Sequence, residues 1–287
     1  MTDDYILTLE DIPAAGDLNT VRAGLAAYYD TRADARPQGE LAVFLRDANG
    51  TITGGVYGEI RWGWLYVDVV WVTDEWRGLG NGRRLMAALE QGAAARGVSR
   101  VYLATTDFQA LPFYQKIGYE LWAGLDDRPP GYRYHYLKKQ DIERRSSGNS
   151  LPVEEKPRIG DIAIIVGGLK HHARIQGAAL VSQQVVVFLR EIHTGQIRGG
   201  LIGSTYWGWL DLMHFWLDDD LRDQVYGEQL LTLAEDECRV RGVSRIVTDT
   251  VDDGTRRLLE RAGYTVFGTL EIDTPSSLWY FLKKEGL

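Results

Sequence analysis

The stretch RWGWLYVDVVWVTDEWRGLGNG, Arg61 to Gly82, decides the fold. It begins with a nearly continuous apolar run, WLYVDVVWV, as a strand covered on both faces would. A short turn leads into the glycine-rich RGLGNG. That turn opens GRRLMAALEQGAAARG, whose apolar residues recur at helical spacing up to Gly97. Far downstream the chain writes YWGWLDLMHFWLDDDLRDQVYG, Tyr206 to Gly227. The frame is the same, but Gly78 and Gly80 have become Asp223 and Val225, and only Gly82 keeps its counterpart, Gly227.

The repeat extends well beyond this stretch. Subtracting 145 lays residues 202–284 on 57–139 without a gap. Trp62-Gly63-Trp64-Leu65 meets Trp207-Gly208-Trp209-Leu210, RGVSR from Arg96 meets RGVSR from Arg241, and Gly118-Tyr119 meets Gly263-Tyr264. Upstream, VFLRDANG and VFLREIHTG correspond with one extra residue in the second turn. The chain is two copies of one domain. The segment Gln140 to Gly160 is charged, holds both Pro and Gly, and has little apolar content, so it reads as a linker. The expected domains are therefore 1–139 and 161–287, joined by 140–160. The second copy begins with DIAIIVGGL. Only Lys170 to Gln184 separate that run from VVVFLRE, which leaves little room for a long helix like that of the first copy.

Within the first copy, YILTLE reads as a strand and DLNTVRAGLAAYYD as a helix behind Asp17. ELAVFLRD and TITGGVYGEIRW form two strands around the turn DANG. VSRVYLATT is a strand, FQALPFYQKIG a short helix, and YELWAGL and YRYHYLKK two final strands. The fold class is α/β, with a central mixed β-sheet flanked by helices in each copy.

Composition narrows the function. The 287 residues are 45% hydrophobic and 25% charged, ordinary for a globular protein of one or two domains. The net charge of −8 argues against a nucleic-acid partner. No apolar run approaches the ~20 residues of a membrane span, and the start, MTDDYILTLE, lacks a signal-peptide pattern. The single cysteine, Cys238, sits in a helical stretch and reads as a small packing residue. These features fit a cytoplasmic protein. The adjacent His171 and His172 lack the spaced partners of a metal site, so no metal is expected.

A strand, a glycine turn and a helix make an anion site in physical terms. The first turn of a helix carries unpaired N–H groups and the positive end of the dipole. Gly78, Gly80 and Gly82 leave no Cβ between that backbone and a phosphate. No Gly-Lys-Ser/Thr follows, so the loop is not a P-loop.

At this point the residues resemble a known family. Arg77-Gly78-Leu79-Gly80-Asn81-Gly82 is similar to the Arg/Gln-x-x-Gly-x-Gly/Ala loop of the GNAT acetyltransferase superfamily. Asp107-x-x-Ala110-x-x-Phe113-Tyr114, with Gly118-Tyr119 after it, resembles that superfamily's Asn-x-x-Ala-x-x-Phe-Tyr segment. The resemblance covers about residues 3–139 and, weakened, 161–284, making the chain a tandem GNAT protein. It implies acetyl-CoA as co-substrate and a small-molecule primary amine as acceptor. It also implies that strands 64–72 and 99–105 splay after a bulge and admit the acyl-pantetheine arm. Main-chain groups of Val70, Trp71 and Val72 would then bind the arm, and the amides of Gly78 to Arg83, with Leu79, Gly80, Asn81 and Gly82 between, would hold the diphosphate. Ala110 and Phe113 belong to the same site. Asp107 stands where the family often has Asn, and a carboxylate cannot donate as that amide does.

Direct attack needs a neutral amine, and a free aliphatic amine has a pKa near ~10, so a base must help. Asp68 is charged inside a buried strand, nine residues before Arg77, near where several relatives carry the base. A local hydrogen bond or ion pair would equally satisfy it. Tyr114 matches the family's general acid, which protonates the leaving thiolate. By the same resemblance the helical segment from Asp17 to Arg36 floors the acceptor pocket, with Tyr28, Tyr29, Glu59 and Arg61 as lining candidates.

The second copy keeps the packing residues and loses the chemistry. Asp68 becomes Met213, Tyr114 becomes Leu259, and Phe113 becomes Leu258. The expectation is a catalytic first domain braced by a degenerate second one, in an internal pseudo-dimer that is itself a monomer. Two alternatives stand beside it: a non-catalytic ligand-binding protein, and an acyltransferase using a longer acyl-CoA.

Overall fold

The computed structural model describes residues 4–30, 38–142, 151–175, 181–272 and 278–287. The chain forms two compact units, and neither is a continuous half of the sequence. One is Ala35–Leu180; the other combines Met1–Asp34 with Val181–Leu287. The boundaries expected from the repeat, 1–139 and 161–287, are crossed at both arms.

The chain opens with β1 (Tyr5–Leu9) and α1 (Ala15–Asp30). The unit Ala35–Leu180 then contributes β2 (Gly39–Arg46), β3 (Ile52–Arg61), β4 (Trp64–Val72), α2 (Asn81–Ala94) and β5 (Val101–Thr106). α3 (Leu111–Lys116), β6 (Glu120–Leu125), β7 (Tyr134–Lys139) and α4 (Ile159–Ile175) complete it. Its sheet runs β2-β3-β4-β5-β7-β6, and only the β4–β5 pair is parallel. α2 lays Leu85, Met86, Leu89 and Ala93 into the core beneath this sheet, the spacing that the amphipathic pattern predicts.

The remaining chain supplies β8 (Gln183–Glu191), β9 (Ile197–Tyr206), β10 (Trp209–Leu217), α5 (Tyr226–Val240) and β11 (Arg245–Thr250). α6 (Asp253–Arg261), β12 (Thr265–Glu271) and β13 (Leu278–Glu285) follow. Its sheet runs β1-β8-β9-β10-β11-β13-β12, again parallel only at β10–β11. α5 buries Leu230, Leu231, Ala234 and Cys238, which stand 145 positions after the core residues of α2. Cys238 is a buried packing residue, and burial pushes its thiol up to about 12.

The arms are exchanged between repeats. β1 pairs antiparallel with β8 of the second repeat, and α1 packs beside it on that sheet. α4, which precedes the second repeat in sequence, packs instead on the first repeat's sheet. Equivalent contacts recur at an offset of 144 before the extra turn residue and 145 after it. Asp17 binds Arg190 at 2.7 Å, and Asp161 binds Arg46 at 2.8 Å. A Cβ on Gly24 would come 2.2 Å from the Trp216 indole, and one on Gly168 would come 2.1 Å from the Trp71 indole. Each helix therefore lies against its sheet because a glycine admits a tryptophan. Glu10 receives Arg190 at 2.7 Å, while its counterpart Glu154 exchanges main-chain bonds with Ala42 at 2.9 and 2.8 Å.

Two expectations are corrected here. DIAIIVGGL is the body of a full-length helix, α4, and does not begin the second copy without one. The end of the 140–160 linker is structured: Glu154 bridges to Ala42, and Leu151 and Val153 pack on the core of the first repeat's sheet.

Candidate active site

The site is made where β4 leaves β5. The β3–β4 register slips between Tyr57 and Gly58: Tyr57 faces Val69, Gly58 faces Val67, and Asp68 is the extra residue of a bulge. Parallel pairing of β4 with β5 ends at the same point, covering only Leu65–Val67 against Val101–Leu103. Beyond it β4 continues with β3 and β5 with β7, so the strands part. The Thr73 amide donates to the Thr53 carbonyl of β3 at 2.8 Å. Main-chain groups alternate along a strand, so Trp71 also turns its amide and carbonyl to β3, and Val70 and Val72 turn theirs into the opening. The Val72 carbonyl accepts from Arg77 Nε at 2.9 Å.

A cavity of about 550 Å³ occupies this opening. Val70, Trp71, Val72, Arg77, Gly78, Gly80, Asn81, Gly82, Arg83, Ala110 and Phe113 line it, together with Asp68 and Tyr114. The helix mouth is open: the first bond of α2 runs from the Arg84 amide to the Gly80 carbonyl at 3.1 Å, so residues 81–83 have no helical acceptor. The glycines have separate reasons. Gly78 and Gly80 have φ of 73° and 82°, and a Cβ on either would meet nothing within 4 Å. They supply left-handed backbone beside open space. A Cβ on Gly82 would lie 3.2 Å from the Phe113 ring, so that glycine serves the packing of α2 on α3. Asn81 pins the loop through its side chain, donating to the Trp76 carbonyl at 3.0 Å and accepting from Arg84 at 3.1 Å.

The two candidate proton carriers share this cavity. The Asp68 carboxylate opens onto it and keeps access to water, yet protein atoms surround it densely. That burial raises its pKa above the usual carboxylate range, outweighing a 3.4 Å hydrogen bond from Tyr66 and the charge of Arg61. Tyr114 is only 7% exposed, and burial alone raises its hydroxyl well above the ordinary phenol value. Glu40, Glu59 and Asp68 all act on Tyr57, whose hydroxyl donates to Glu40 at 2.8 Å. After burial, these carboxylates are what raise its pKa. Three carboxylates thus act on Tyr57, and Arg61 is the cation that acts on Asp68.

Other expected residues stand elsewhere. Leu79 is 70% exposed and lies off the cavity wall. Asp107 is turned away: its carboxylate bonds the His135 ring and accepts from the Arg133 amide at 2.8 Å, and His135 first among these partners holds it below the usual range. Gln109 lines the cavity instead, its Oε1 accepting from the Thr106 amide at 3.3 Å. Arg61 donates to the Tyr102 hydroxyl at 2.8 Å and lies over the Tyr66 ring, while Glu59 faces Tyr66 across the ladder. Neither lines the cavity. Tyr28 and Tyr29 belong to the other unit with α1. Tyr28 donates to Asp252 at 2.6 Å, and burial pushes Tyr29 up to about 12. The described part of the expected floor, residues 17–30, belongs to the other unit, and its residues 31–36 lie outside the described residues. α4 takes the corresponding place, adding Leu169 and His172 to the wall. An offset of 144 applied upstream of the extra turn residue aligns Asp17, Gly24 and Leu25 with Asp161, Gly168 and Leu169, and would have found them. Among the described residues no cluster suits a metal ion, and no helix is long and apolar enough to cross a membrane.

Comparison with known proteins identifies the family of the chain. The model of the acetyltransferase (GNAT) family matches residues 16–119 and again 170–264. A blasticidin-S acetyltransferase of Streptomyces morookaense is 41% identical over 108 residues, which is 37% of this chain and 79% of that protein. An acetyltransferase of Agrobacterium fabrum is 30% identical over 132 residues, 46% of this chain and 96% of its own. Among solved structures, an acetyltransferase from Agrobacterium tumefaciens is 29% identical with a TM-score of 0.44, covering 46% of this chain and 97% of that one.

Proposed function

We propose, from the premise that this chain belongs to the acetyltransferase (GNAT) family, that it moves an acetyl group from acetyl-CoA to the primary amine of a small cationic molecule. The chemistry runs in the cavity between β4 and β5. One observation carries the proposal: a carboxylate on the bulge, a buried phenol and an open helix mouth line one cavity. The relative named for blasticidin-S favours a small polar metabolite or antibiotic as acceptor. The carboxylates around Tyr57 favour an acceptor that arrives positively charged.

In this mechanism the diphosphate of the donor lies on the amides of residues 78–83, with Arg77 beside it. The pantetheine arm follows the Val70 and Val72 main chain into the opening. An N–H there polarises the thioester carbonyl. Asp68 takes a proton from the ammonium, directly or through a water, and the neutral amine attacks the carbonyl carbon. The C–S bond breaks, Tyr114 protonates the departing thiolate, and the second proton on the former amine nitrogen returns to the Tyr114 phenolate through solvent, leaving the N-acetyl amine and free CoA. Burial keeps the Tyr114 hydroxyl protonated at neutral pH, the form a proton source needs.

The test is thiol release from acetyl-CoA over an amine panel. Tyr114→Phe should lower kcat by about 10²-fold or more while donor binding holds. Asp68 must be ionised to act, and its pKa is raised, so kcat/KM should fall as pH drops through a value above the ordinary carboxylate range. Asp68→Asn should remove that limb along with most activity. Binding of CoA without turnover on any amine would instead leave a ligand-binding protein. Turnover faster with longer acyl-CoA would move the proposal to that donor.

A further inference from the structure

The exchanged arm brings a residue of the second repeat to the cavity of the first. His172, on α4, lines it beside Arg77, with Nδ1 3.4 Å from Arg77 Nη1. An arginine only donates, so Nδ1 accepts and the ring carries its proton on Nε2. Leu169, one turn earlier, lines the same wall. The helix cannot slide freely, because Gly168 sits directly on the Trp71 indole. Arg77, Arg83, Lys116 and His172 all line this cavity, as does Asp68. Asp74 pairs with Arg77 at 2.7 Å.

The other unit repeats the placement with different chemistry. The counterpart of His172 on α1 is Tyr28, and the counterpart of Arg77 is Arg222. The Arg222 guanidinium carbon lies 3.3 Å from the Tyr28 ring centroid, and the Tyr28 hydroxyl is held by Asp252. The fold therefore sets this arm position against the arginine in both units. Where the glycine mouth is lost, the arm residue is tied to a carboxylate. Where the mouth is open, the arm carries an imidazole whose one N–H, on Nε2, is directed away from Arg77.

We infer that His172 binds the acyl donor: with Arg77 it holds a phosphate group of the CoA, so the second repeat completes the binding site of the first. The inference rests on the acyl-CoA reading above. Arg77 comes from the turn after β4 and His172 from α4, so a phosphate that meets the remaining N–H groups of this bonded pair is gripped from two elements. The group is either the diphosphate or the 3′-phosphate, both oxyanions with the same demand for N–H groups.

The test is calorimetric titration of the full chain with CoA and with 3′-dephospho-CoA. The variants are His172→Ala, His172→Gln and, as control, His171→Ala on the exposed side of α4. His172→Ala should weaken CoA about tenfold, the value of one hydrogen bond to a charged group. The KM for the acyl donor should rise equally, with kcat within about twofold. His172→Gln, which can also accept from Arg77 and donate onward, should recover most of the affinity. His171→Ala should bind as the unaltered chain does, and the melting temperature of the ligand-free His172→Ala chain should be unchanged. A penalty that vanishes with 3′-dephospho-CoA assigns the contact to the 3′-phosphate; one that persists assigns it to the diphosphate. Equal CoA affinity in His172→Ala and the unaltered chain overturns the inference alone. So does a loss that His172→Gln shares and that comes with a lower melting temperature. Failure of the unaltered chain to bind CoA overturns the acyl-CoA reading and this inference together.

Discussion

The two helix mouths, residues 77–83 and 222–228, occupy the same place in two sheets of the same order, and they differ in which glycines survive. Gly78 and Gly80, which hold left-handed backbone, have become Asp223 and Val225, and Val225 has turned right-handed with φ of −66°. Gly82 keeps its counterpart. A Cβ on Gly227 would come 2.8 Å from Leu258, just as one on Gly82 would press on Phe113. The bulge also survives, with Met213 as the extra residue between Leu212 and His214. A cavity remains there as well, lined by five carboxylates, Asp219, Asp223, Glu228, Asp252 and Asp253, and by three arginines, Arg222, Arg257 and Arg261. What packing requires was kept, and what only an anion requires was lost. On the proposed donor-binding reading the helix-mouth glycines serve the ligand, while the glycine inside the helix serves packing.

The largest effect should come from writing the second mouth into the first. Gly78→Asp with Gly80→Val must hold left-handed backbone at about 1–2 kcal/mol per residue or rearrange the loop. CoA affinity should then fall by about two orders of magnitude, read by titration calorimetry. Unchanged affinity would break the comparison. A smaller effect is expected at the packing glycines. Gly82→Ala and Gly227→Ala should each shift stability by no more than about 1 kcal/mol in denaturant melts, because the helix gains from alanine what the neighbouring side chain loses by moving. The smallest belongs to the reverse exchange. Asp223→Gly with Val225→Gly should leave turnover within about twofold. A large gain there would mean that the second mouth still takes part.

Much of this was legible in the sequence. The tandem repeat, the strand WLYVDVVWV and the helix after the glycines follow from periodicity and turn chemistry, and the neighbouring of strands 64–72 and 99–105 from the family resemblance. Most residues of the cavity wall were found through the motif around Arg77 and the Ala110 to Tyr114 segment. The exchange of arms was not legible. Gly55 and Gly200, Trp71 and Trp216, and Arg46 and Arg190 give both sheets nearly the same docking face, so no local pattern tells α1 which one to choose. Tyr28 and Tyr29 were assigned to the wrong site for that reason, and Leu169 and His172 were missed. α4 was hidden because its run IAIIV is rich in β-branched residues of low helix propensity, which its packing on Trp71 through Gly168 outweighs. Asp107 was misplaced because its motif position predicts a cavity residue, whereas His135, 28 residues on, pulls it away.

Amide hydrogen exchange of the full chain with and without CoA tests the central claim most directly. Slowed exchange at residues 78–83, with residues 223–228 unchanged, is the predicted result. Slowed exchange at 223–228 with none at 78–83 would contradict it.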